Sequence, residues 1–164
     1  MRVLGIDPGT AITGYAVVEE EGGDLRLVTV GVINTPAQTP LPLRLQQIYA
    51  GLREIIATHA PESAAVEQLF FSRNARTAMA VGHARGVVLL ALADAGLSIA
   101  EYTPMEIKQA VTGYGSADKY QVQEMVRMLL NLSEAPRPDD AADAVAVAVC
   151  CLHRARLDAL LGNG

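Results

Sequence analysis

The sequence predicts an α/β domain built on one mixed five-stranded sheet, three antiparallel strands followed by parallel ones, flanked by helices. Two observations carry this. Residues 1–35 read as short Val- and Thr-rich segments separated by tight turns, the pattern of a strand meander. From residue 43 onward, apolar residues at helical spacing alternate with short apolar runs, the pattern of βαβ units. A meander that feeds βαβ units closes into a single mixed sheet. The chain of 164 residues fits one domain with its own core. That domain is expected to span residues 1–158, with a frayed tail over 159–164.

The elements follow in order. Arg2–Asp7 is short and apolar, and Thr13–Glu20 and Leu25–Ile33 are strand-like. Glu21-Gly22-Gly23-Asp24 between them is a hairpin signal. Asp7-Pro8-Gly9-Thr10 suits a type II turn, with Pro8 setting φ and Gly9 accepting a positive one. Asn34 to Pro42, with three prolines, reads as a loop. Leu43, Leu45, Ile48, Leu52, Ile55 and Ile56 fall on one helical face, and His59 after them suits a helix C-terminus. Ser63–Gln68 is a short buried strand. Asn74 caps an Ala-rich helix to about Ala95, and Leu97–Tyr102 is a further strand. Thr103-Pro104-Met105-Glu106 forms a capping box with Pro at the first helical position. After the loop Gly113–Ser116, Val122, Met125, Val126, Leu129 and Leu130 give an amphipathic helix. Pro136 and Pro138 precede a last helix that runs to about Leu161.

Composition narrows the function classes. Hydrophobic residues make up 51% and charged residues 19%, which excludes long-range disorder. No apolar run approaches the roughly 20 residues of a membrane span, and the N-terminus reaches an acid and a Pro-Gly turn too early for a signal peptide. The expected compartment is the cytoplasm. Cys150 and Cys151 are adjacent, so neither a disulfide framework nor a cysteine metal knot is expected. Net charge is −5, from 18 acids against 13 bases, so bulk charge does not announce a nucleic-acid partner. Among the bases only Lys108 and Lys119 are lysines.

Four acids stand in apolar surroundings. Asp7 ends the first strand and Glu67 ends the fourth, while Asp140 and Asp143 lie three apart on one helical face. If those two strands are neighbours, Asp7 and Glu67 emerge side by side, and the last helix can bring its pair against them. Clustered carboxylates raise one another's pKa, and a divalent cation removes that cost. Hard oxygen ligands without Cys or His favour Mg²⁺ or Mn²⁺. Two such ions about 3.5–4 Å apart suit in-line phosphodiester hydrolysis. Asp7 before Pro-Gly also fits a simple turn former, and Asp139 fits a helix N-terminal charge.

Taken in order, four segments resemble the RuvC family of bacterial Holliday-junction resolvases. They are Gly5-Ile6-Asp7-Pro8-Gly9-Thr10 with Thr13-Gly14-Tyr15, Glu67-Gln68-Leu69-Phe70, Gly113 to Lys119, and Asp140-Ala141-Ala142-Asp143-Ala144. The resemblance implies a ribonuclease H-like fold and a two-fold homodimer. It implies Mg²⁺-dependent paired nicking of a four-way DNA junction in recombination and repair, leaving 5′-phosphate and 3′-hydroxyl ends, with RuvA and RuvB as branch-migration partners. Two Mg²⁺ ions, replaceable by Mn²⁺, would be held by Asp7, Glu67, Asp140 and Asp143. Lys108 and Lys119 match lysines that the family places near the scissile phosphate. Phe70 matches an aromatic that stacks on a base beside the junction, and its exposure is expected. Phe71, Arg73, Asn74, Arg76 and Ser116 extend the expected DNA surface. Arg85 is assigned a mainly structural role. The Ala-rich helix, with Gly82 and Gly86, is the expected dimer face. Three other classes stand beside this one: an actin-like nucleotide phosphatase, a ribonuclease H-like nuclease of other substrate, and a catalytically silent junction-binding module.

Overall fold

The computed structural model describes residues 1–68 and 74–162. The expectations for Phe70, Phe71 and Arg73 lie outside the described residues. The chain runs β1 (Arg2–Asp7), β2 (Ile12–Glu21), β3 (Asp24–Asn34), α1 (Leu41–His59), β4 (Ser63–Glu67), α2 (Ala75–Asp94), β5 (Ser98–Tyr102), α3 (Pro104–Thr112), α4 (Lys119–Leu129) and α5 (Asp139–Leu161). The five strands form one mixed sheet in the order β3-β2-β1-β4-β5. β1, β2 and β3 pair antiparallel, and β4 joins β1 and β5 in parallel.

The expected hairpin forms, and two other local readings are corrected. Glu21 and Asp24 pair across the turn Gly22-Gly23, at φ +62° and +96°, so each strand runs one residue further than expected at this turn. Two successive positive φ values suit the twist of paired strands. Gly9 has no positive φ, so the type II turn does not form. Its glycine is required for space instead, because a Cβ there would lie 2.3 Å from the Ile12 carbonyl oxygen. Pro42 belongs to α1, in whose first turn its missing N–H costs nothing.

The helix ends carry their own stops. The Asn74 side chain accepts from the backbone N–H groups of Arg76 and Thr77. Thr103 and Glu106 close the expected capping box, and Asp118 with Gln121 closes a second one. Ala60, in the left-handed region, ends α1 behind His59.

The sheet buries both faces. Leu4, Ile6, Val17, Ala64 and Val66 pack against α1 and α2. Val3, Ala16, Val18 and Ala65 pack against α5, with α3 and α4 outside it. Between Ala141 and Leu152 every residue of α5 except Asp143 is buried, so α5 is a central helix enclosed on all sides. Its contact with the sheet is backbone-close. A Cβ on Gly14 would lie 1.9 Å from the Asp140 carbonyl oxygen, and one on Gly5 2.2 Å from that of Ala144. α2 has the length and hydropathy of a membrane span by composition. It packs Ala84, Val88, Ala91 and Leu92 onto the sheet as an ordinary layer helix.

Candidate active site

Strand periodicity delivers the first two acids. In β1, Leu4 and Ile6 face α1 and α2, so Val3, Gly5 and Asp7 face α5. In β4, Ala64 and Val66 face α2, so Ala65 and Glu67 face α5. The parallel register pairs Ile6 with Val66, which sets Asp7 and Glu67 side by side at adjacent strand ends. The close seat of α5 on Gly14 then brings Asp140 and Asp143 to the same place. Acids from three distant segments thus share one corner, at the C-terminal end of parallel strands where such sheets keep their sites.

The electrostatics record this crowding. Burial, reinforced by Glu67, Asp143 and Asp140, pushes the Asp7 carboxyl up to about 8 against the opposing pull of Lys119. Glu67 is raised by burial and by Asp143, while a hydrogen bond with Asp7 and the two lysines oppose the rise. Asp143 is raised by burial although Lys119 counters it. Such repulsion is what a bound cation relieves, and an all-oxygen donor set suits a hard divalent ion. Among the described residues no group of three or more His, Cys, Asp or Glu side chains converges tightly enough to hold a metal ion. Lys119 stands against the cluster, its Nζ 3.4 Å from Asp143 Oδ2 and 3.1 Å from Asp139 Oδ2.

A cleft of about 230 Å³ opens beside the acids, lined by Glu67, Asp143, Lys108, Lys119 and the apolar side chains of Ile107, Val122 and Ala146. Lys108 comes from α3 and Lys119 from the first residue of α4. Both lysines therefore meet two of the four acids in one cleft. Ser116 lies exposed on the loop between their helices, and Asn74 and Arg76 lie exposed at the start of α2.

Two features escaped the sequence. Asp139 does stand in the first turn of α5, yet it also holds Lys119, and Gln123 Nε2 donates to its other oxygen at 3.1 Å. Arg85 reaches the site from below, donating from Nη1 to the Glu67 carbonyl oxygen at 2.8 Å and from Nη2 to Glu101. Neither pairing has a signal in local spacing, because each joins segments 16 to 20 residues apart through tertiary contact.

Comparison with known proteins places this geometry in a family. The family model described as crossover junction endodeoxyribonuclease RuvC matches residues 3–151. The crossover junction endodeoxyribonuclease RuvC of Chloroflexus aggregans is 61% identical over 155 residues, 94% of each chain. That of Syntrophomonas wolfei is 53% identical over 161 residues, 98% of this chain and 94% of the relative. Thermus thermophilus RuvC in complex with Holliday junction substrate superposes with a TM-score of 0.92 at 42% identity, over 96% of both chains. The yeast mitochondrial Holliday junction resolvase shares the fold, with a TM-score of 0.70 at 15% identity. The ribonuclease H-like architecture is thereby established, and with it a nuclease chemistry that depends on metal. The matched stretch carries all four acids and both lysines, and the chain belongs to the RuvC family of crossover junction endodeoxyribonucleases.

Proposed function

We propose that this chain resolves four-way DNA junctions by nicking two like strands symmetrically, leaving 5′-phosphate and 3′-hydroxyl ends. The observation that carries the reading is the meeting of Asp7, Glu67, Asp140 and Asp143 in one corner with Lys108 and Lys119 beside them. Asp7, Glu67, Asp140 and Asp143 supply the donor set and would draw in around two Mg²⁺ ions, with Mn²⁺ as a substitute. When bound, the ions activate the attacking water and stabilise the leaving oxygen.

The chain's own groups do the rest. The four carboxylates fix the position of the reacting phosphate by fixing what binds it. Lys108 and Lys119 neutralise charge that builds on the phosphoryl oxygens. Ile107, Val122 and Ala146 wall the cleft with apolar surface, so these charges act through a weaker dielectric than water. Asp139 keeps the Lys119 ammonium at the cleft mouth. The DNA surface continues through Ser116, Asn74 and Arg76, and through the Phe70, Phe71 and Arg73 segment.

The active unit is a two-fold homodimer, matching the symmetry of its substrate. Met79, Gly82, Gly86 and Leu90 form an exposed stripe along α2, and space is open above both glycines. That stripe supports α2 as the dimer face. RuvA and RuvB are the branch-migration partners, and the compartment is the cytoplasm. The domain spans residues 1–158, followed by the last turn of α5 and the tail.

The test is a nicking assay on a synthetic four-way junction, a linear duplex and an RNA–DNA hybrid, each with Mg²⁺ and with EDTA. Paired symmetric nicks on the junction alone, only with Mg²⁺, are expected. Asp143→Asn should lower the rate by at least about 10³-fold, an effect of several kcal/mol on the barrier, and leave junction binding within about threefold. Cleavage of the hybrid alone, or equal loss of binding and cleavage in the variant, refutes the assignment.

A further inference from the structure

Arg85 is a side chain for which the chemistry above gives no role. Its side chain is only 15% exposed, beside the buried Ala84 and Val88 of α2. An apolar residue would pack there at less cost, because a buried charge must recover its desolvation through good partners. What Arg85 gains is two partners on two strands. Nη2 pairs with the Glu101 carboxylate on β5, and Nη1 donates to the backbone carbonyl of Glu67 at the end of β4.

We propose that Arg85 is a positioning residue for Glu67. It clamps the peptide that carries this acid to α2, on the face of the sheet opposite the acid cluster. The Glu67 side chain faces α5 while its carbonyl is held from the α2 side, so the clamp sets the direction in which the carboxylate leaves the strand. The loop that follows β1 is tied to the same helix. The Thr10 hydroxyl donates to the Ala80 carbonyl oxygen, five residues before Arg85. The end of β4 and the loop three residues past Asp7 are therefore both anchored on the stretch Ala80 to Arg85. The solvent face of α2 around this stretch carries the exposed Met79, Gly82 and Gly86. The inference rests on the junction-nuclease reading for its activity arm only.

The test separates positioning from plain stability. Arg85→Met leaves Glu101 without its partner and should lower both the melting temperature and the cleavage rate. The double variant Arg85→Met, Glu101→Leu removes both charges, an exchange that is often neutral or stabilising. It should recover the wild-type melting temperature within about 3 °C, keep the junction Kd in EDTA within about threefold, and remain dimeric by sedimentation. Its single-turnover cleavage rate should nevertheless stay about 10²-fold down, the scale expected for a reacting group displaced by about 1 Å. Arg85→Lys, which keeps a donor toward the Glu67 carbonyl, should recover about tenfold of that loss. The rise in melting temperature on adding Mg²⁺ without DNA should be at least halved in the double variant.

If the double variant regains rate and melting temperature together, Arg85 is structural and the proposal fails. Failure of the wild type to cut the junction refutes the functional reading instead. The Mg²⁺-induced melting shift then decides alone: a halved shift in the double variant upholds positioning, and an unchanged shift overturns it.

Discussion

Replacing Gly14 by alanine adds one carbon at the point where α5 touches β2. The ideal position of that carbon is 1.9 Å from the Asp140 carbonyl oxygen and 2.4 Å from the Asp140 carbonyl carbon. Ordinary contact begins near 3.4 Å, so the start of α5 must retreat by about 1.5 Å or β2 must bend by as much. Neither neighbour is the flexible end of a side chain. Overpacking of this kind costs about 1–3 kcal/mol, which for a chain of this length is roughly 2–12 °C in melting temperature. The chemical cost is larger. Asp140 is the residue pushed, Asp143 lies one turn further along, and Asp7 and Glu67 stay with the sheet. A displacement of about 1 Å between reacting groups costs on the order of 10²-fold in rate. The assay is single-turnover cleavage of a four-way junction, run beside junction binding in EDTA and a thermal melt. A folded variant that binds within about threefold of wild type and cuts at least 30-fold more slowly is expected. Cutting within threefold of wild type, with an unchanged melt, would refute the claim that Gly14 sets the helix-to-sheet spacing.

Two further outcomes are expected. With metal chelated, stability should fall as pH rises from about 4 to about 8, because the raised Asp7 carboxyl keeps its proton in the folded chain and loses it when unfolded. At pH 7 the penalty from Asp7 is about 4 kcal/mol at most, from 1.36 kcal/mol per unit between 3.8 and 7. Asp7→Asn should therefore melt higher than wild type at pH 7, by several degrees, and show a flatter pH dependence; chelated melts across that range check both. If α2 is the dimer face as proposed, Leu90→Glu on its exposed stripe should leave the monomer's melt within about 3 °C and shift sedimentation from dimer to monomer, since the charge would be left unpaired where the copies meet.

Much of this molecule is legible in its residues, and for definite reasons. The strands show because each alternates or runs apolar over five to eleven residues between turn formers. The acid cluster shows because a carboxylate ending an apolar strand, as Glu67 does, has no local partner to account for it. The Thr103–Glu106 box shows because capping depends on a three-residue spacing. What stays hidden depends on distant segments. Gly9 reads as a turn former and Gly5 and Gly14 only as members of a motif, yet each is fixed by how near another backbone comes. Asp139 and Arg85 read as surface or structural charge, and only the packing of α4 on α5 and of α2 on the sheet assigns their partners.

The enclosure of α5 has a mechanical consequence. The acids ride on the sheet and on a helix with eleven buried residues between Ala141 and Leu152, the part of the domain that opens last. The lysines ride on α3 and α4, helices of nine and eleven residues that lean on α5 from outside. The site is thus a vise with one fixed jaw and one spring-mounted jaw. On the proposed reading, local breathing of α3 and α4 would slacken the grip of the lysines on a cut strand while the anionic jaw keeps its shape, and product would leave without the frame of acids being rebuilt between turnovers.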